Sequence, residues 1–119
     1  VEDYMGFLRE IKNRGKYHIF HIPLDINAFG LFRNRLIKER KAVGHLHYFT
    51  KETALSTLED LGYSIIDWNY TDSFHKGGIV VNENLKSKLF YSAQFIINLI
   101  SPRLLSRTLG GLSLLVLTK

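Results

Sequence analysis

His45 and His47 stand two residues apart in the run Gly44-His-Leu-His-Tyr-Phe-Thr50, so in an extended segment both rings point to one face. A neutral imidazole takes a proton near cellular pH, which makes this pair a candidate general base just ahead of a helix start. The commoner role of such histidines is to hydrogen-bond the backbone and brace that start. A metal reading would add His75 as a third ligand, but no carboxylate falls at a metal-motif spacing. Arg33, Arg35, Lys38, Arg40 and Lys41 form a basic cluster offset by Glu39 alone. Such a cluster either clamps a phosphate or carboxylate by paired hydrogen bonds or, more often, is the solvated face of a helix. Asp25 comes just after a strand-like run, at the carboxyl edge where open α/β sheets bind ligands; it orients an acceptor there or, more usually, caps the next turn.

Around these groups the hydrophobic pattern sets out helices and strands in turn. Apolar Met5, Phe7, Leu8 and Ile11 predict a helix over 3–14, with Gly15 as its stop. The aromatic and apolar run 17–22 predicts a strand covered on both faces, ended by Pro23. His18 and His21, three apart on that strand, face opposite ways and are expected as core histidines with satisfied ring nitrogens. An amphipathic helix is expected from about 28 to 40. Thr50 is a candidate N-cap for a helix near 51–61 closed by Gly62, and Tyr63–Tyr70 is the next strand. Residues 84–105 have helical spacing with a break at Pro102, and Gly110-Gly111 turns into a final apolar strand, Leu112–Thr118. This order predicts an α/β architecture.

Two stretches carry a family resemblance. Val1-Glu-Asp-Tyr-Met-Gly-Phe-Leu-Arg-Glu-Ile, leading to a strand that ends in Pro23, resembles the segment after the fourth strand in class I S-adenosylmethionine-dependent methyltransferases. Gly44-His-Leu-His-Tyr-Phe-Thr, with Leu58-Glu-Asp-Leu-Gly62 and Tyr63-Ser-Ile-Ile66 after it, resembles the segment that re-enters the core of those enzymes. The resemblance runs in order along the whole chain, weakest over 74–110. It implies the C-terminal part of a Rossmann-like methyltransferase fold: a mixed three-stranded sheet, the last strand antiparallel between the other two, flanked by helices. It implies one partial domain over 1–119, with an acceptor-side insertion at 24–49 and a helical excursion at 74–110. The glycine-rich turn and the acidic strand end with which the family holds S-adenosylmethionine are missing. The expectation is therefore a proteolytic remnant or partial chain, inactive by itself, from a cytoplasmic enzyme. The resemblance further implies a small-molecule or saccharide-type acceptor, held by Asp25, Arg33 and Tyr48, with His45 or His47 as base.

Composition sets limits on these readings. A chain of 119 residues buries roughly two thirds of its unfolded surface as one domain. The absence of cysteine excludes disulfides, thiolate metal sites and a cysteine nucleophile. The apolar run Leu89–Ile100, stopped by Pro102, is well short of the ~20 residues of a membrane span. Trp68, Tyr70 and Phe74 form an aromatic cluster of the kind that is usually core. Gly77-Gly78 lacks the preceding strand and the Lys-Ser/Thr of a phosphate loop. The net charge of +5 permits anionic partners, and a basic binding module for nucleic acid or another anion is the alternative to the enzyme. Peripheral membrane attachment through 84–105 is a third possibility. On the enzyme reading no nucleic acid or membrane partner is expected. An unpaired edge on the first strand would favour a homodimer.

Overall fold

In the computed structural model, residues 2–72 and 84–119 are described; Phe74, His75 and Gly77-Gly78 lie outside them. The chain runs α1 (Tyr4–Lys12), β1 (His18–Pro23), α2 (Ala28–Phe32), α3 (Arg35–Val43), α4 (Lys51–Asp60), β2 (Ile65–Asp72), α5 (Leu85–Ile100), α6 (Pro102–Arg107) and β3 (Leu112–Thr118). The strands form one open sheet in the order β1-β3-β2. The last strand therefore lies in the middle, antiparallel to both neighbours, with His21 opposite Leu115 and Tyr70 opposite Leu114. Both pairings are antiparallel, so the described sheet is not mixed.

The core lies on one face of this sheet. Leu114 and Val116 are fully buried and meet Leu8 of α1 and Ala54 and Leu58 of α4. Tyr63 anchors the far end by donating its hydroxyl to the Leu8 carbonyl at 2.7 Å. The opposite face is more open among the described residues: along β1, His18, Phe20 and Ile22 turn inward, whereas Ile19 is 70% exposed. A strand covered on both sides was the wrong expectation for β1, because a continuous apolar run reads the same whether one face or two are packed. His21 is also exposed, bonded to the Thr71 hydroxyl at 3.0 Å, and is no core histidine. His18 is half-buried with Nε2 3.1 Å from the Ile11 carbonyl, while its Nδ1 is buried without a hydrogen-bond partner among the described residues.

The ends of the helices obey local chemistry. Asp3 accepts from the Gly6 amide to start α1, which closes at Asn13 rather than at Gly15. Thr50 and Thr53 exchange side-chain and backbone bonds at the start of α4, and Gly62 takes a positive φ of 80° after it. The single helix expected over 28–40 is two helices, broken where Asn34 adopts φ 51°. Asn is among the few residues with a side chain that tolerate this left-handed turn. Lys51 covers the ring of Trp68 at 4.4 Å, so that the Trp68 and Tyr70 pair packs beneath α4.

Candidate functional site

The carboxyl end of β1 is where the sequence places chemistry, and the fold brings two segments together there. After Pro23 the chain passes through buried Leu24 to Asp25, and the incoming segment 44–49 runs beside it, tied by the Ile26 amide to the Phe49 carbonyl at 3.3 Å. This sets His45 Nδ1 3.4 Å from Asp25 Oδ2, with side-chain exposures of 37% and 24%. Pro23, Asp25, His45, Leu46, His47 and Phe49 line a hollow of about 230 Å³. Burial pushes the Asp25 carboxyl above the usual aspartate range, and the nearby His45 only partly offsets this. A carboxylate beside Nδ1 favours the tautomer with its proton on that nitrogen, so that Nε2 keeps its lone pair free to accept one.

The remaining expected site residues fall in different places. His47 lines the same hollow, but its Nε2 lies 3.0 Å from the Glu2 carbonyl and its ring 4.3 Å from that of Tyr4. These contacts tie the segment to the start of α1. The Tyr48 hydroxyl proton is shared between the Leu36 carbonyl at 2.9 Å and the His45 carbonyl at 2.8 Å. That bolt holds the His45 backbone to α3. Arg33 does not reach the hollow; its guanidinium lies 5.3 Å from the Phe29 ring and faces α5.

In its stead, Arg35 and Glu39 close a smaller cavity of about 100 Å³ beside Asp25, paired at 2.7 Å. Sequence reasoning did not separate Arg35 from its basic neighbours. The usable signal was Asn34, the break that starts a new helix at Arg35. Among the described residues no three His, Asp or Glu side chains converge on a metal position. Among the described residues no glycine-rich turn joins a strand to a helix, the feature with which such folds cradle a nucleotide cofactor.

Comparison with family models, with curated proteins and with solved structures finds no match to this chain. Its chemistry therefore rests on geometry: a histidine oriented by a half-buried carboxylate, at the mouth of a small hollow, at the end of a strand. That arrangement suits removal of a proton from a hydroxyl or amine.

Proposed function

We propose that the chain is the acceptor-side, C-terminal part of a class I S-adenosylmethionine-dependent methyltransferase with a small-molecule or saccharide-type acceptor. The observation that carries the reading is the sheet order β1-β3-β2 with β3 antiparallel in the middle, which the sequence resemblance implies independently. The Asp25–His45 pair supports it, standing where the acceptor's proton would be taken. Bound cofactor supplies the methyl group in such enzymes. This chain's residues seat the acceptor between Pro23 and Phe49, hold the imidazole through Asp25, and receive the proton at His45 Nε2. The cofactor-holding turn belongs outside these residues on this reading, and the edge of β1 that has no strand partner among the described residues is where a further strand, or a second copy of the chain, would pair.

Calorimetric titration tests it. The 119-residue chain should give no heat with S-adenosylhomocysteine, whereas a longer product of the same gene should saturate at one site. Saturable binding by the short chain would relocate the cofactor site, and no binding by any longer product would overturn the reading. In the binding-competent protein, His45→Ala should lower turnover by about a hundredfold or more, the usual contribution of a general base. His47→Ala should act mainly through stability.

A further inference from the structure

Helix α5 buries one side and presents the other. Leu85, Leu89, Ile96, Leu99 and Ile100 recur at helical spacing on a face open to solvent, and Leu104 of α6 extends it. Leu85 and Leu99 are each 72% exposed and Ile100 75%. The inward side carries Phe90 against Phe29 at 4.8 Å and buried Gln94, which donates to the Gly110 carbonyl at 3.0 Å. The outward stripe is about 22 Å long at 1.5 Å per residue, and a contiguous apolar patch of that kind marks an interaction surface.

Charge identifies what covers it. From Asn84 to Lys119 the chain has no Asp or Glu, but it has Lys86, Lys88, Arg103, Arg107 and Lys119. The rest of the sequence is balanced, so the whole net charge of +5 resides in this part. Lys86 and Lys88 are exposed beside Leu85 and Leu89. Arg33 and Lys86 line a hollow of about 480 Å³ between α2 and α5, and none of the described residues that line it is acidic. At the other end of the stripe Arg103 and Arg107 converge on the single carboxylate of Glu52, which leaves an excess of positive charge there too.

We propose that the outward face of α5 lies in the plane of a bilayer containing anionic phospholipid, its leucines and isoleucines in the acyl boundary and its cations among the phosphates. An apolar stripe flanked by cations and free of acids is the pattern of an interfacial helix. At 16 residues α5 does not span, and no helix among the described residues is long and apolar enough to do so. The enzyme reading expects no membrane partner, and the face of α5 instead favours the surface attachment through 84–105 that the sequence left as a third possibility. This inference does not depend on the methyltransferase reading.

Co-sedimentation of the 119-residue chain with phosphatidylcholine vesicles, with and without phosphatidylglycerol, tests it. The chain should pellet with the anionic vesicles, less so as salt rises. Leu89→Glu with Ile96→Glu should abolish pelleting, and Lys86→Glu with Lys88→Glu should weaken it about tenfold or more, each with an unchanged circular dichroism spectrum. Equal binding to both vesicle types, or none to either, overturns the proposal. So does loss of self-association in the Leu89 and Ile96 variant without any vesicle binding by the parent chain, because the face would then be an interface between copies.

Discussion

Asp25 is costly where it stands. Burial raises its pKa, with Glu39 adding to the effect and His45 and Arg35 opposing it. A carboxyl with a raised folded-state pKa holds its proton more tightly in the fold than in the unfolded chain. Its stabilising contribution is present below the unfolded pKa and lost as pH rises through the folded one. Asp25→Asn should therefore melt higher than the parent at neutral pH, and the gap should close as pH falls below the ordinary aspartate range. Paired thermal melts across that range decide the matter; a parent that is the more stable at neutral pH would make Asp25 a structural anchor instead. Tyr48 is the contrast. Tyr48→Phe deletes a donor that serves two carbonyls, and a urea titration should register a loss of about 1–3 kcal/mol.

That Asp25 stands at the carboxyl end of β1 was legible at the residue scale, because it follows the strand-ending Pro23, whereas its meeting with His45 was not. What the sequence hid was which of two adjacent polar rings is held by carbonyls. His45 and His47 are alike in type and spacing, and only the start of α1 and the position of Asp25 distinguish them. Arg33 and Arg35 part company for a related reason. A basic run read as one helix assigns every cation to the same surface, and the break at Asn34 sends Arg33 to α5 and Arg35 toward Asp25.

Among the elements, the loop between β1 and α2 depends on one amide. Asn27 is 5% exposed; its Oδ1 accepts from the Gly30 amide at 2.8 Å and its Nδ2 donates to the Asp25 carbonyl at 3.2 Å. The same side chain lies against Gly110, which has φ 72° and where an added Cβ would collide with the Asn27 amide. Asn27→Ala should cost about 1–2 kcal/mol through the lost cap, and more if the Asp25 carbonyl is left unbonded. Because the cap positions Asp25 as well as α2, the variant should also erase the pH-dependent gap between the parent and its Asp25→Asn form. A stability loss that leaves this gap intact would separate the cap from the site. Asn34→Gly acts in the opposite sense on strain. Glycine occupies the left-handed region without a Cβ penalty, so any stabilisation by this exchange measures what the helix break costs. The caps at Thr50, Asn84 and Ser101 accept backbone amides as their residue types lead one to expect. The turn at Asn34 was missed because helical hydrophobic spacing continues across it.

For the molecule as a whole, apolar side chains stay exposed in three places among the described residues. One is the stripe on α5; another is the exposed sheet face at Ile19; the third is the groove between α1 and β1. That groove, about 450 Å³, is lined by Tyr4, Phe7, Phe20, Ile22 and Phe49 beside the edge of β1 that has no strand partner among the described residues. An edge with an apolar groove alongside templates the addition of a strand. The isolated chain should consequently self-associate, with a sedimentation coefficient that rises with concentration. Phe7→Glu, at a 45% exposed position in the groove wall, should shift it toward monomer without changing its helix content. Charge reversal at Lys86 and Lys88 should leave the association intact. A concentration-independent monomer would remove β1 as an interface, and association that survives Phe7→Glu yet falls with Leu89→Glu would move it to α5. These two faces lie on different elements and respond to different variants, so the sedimentation series and the vesicle series together assign each exposed surface its own partner.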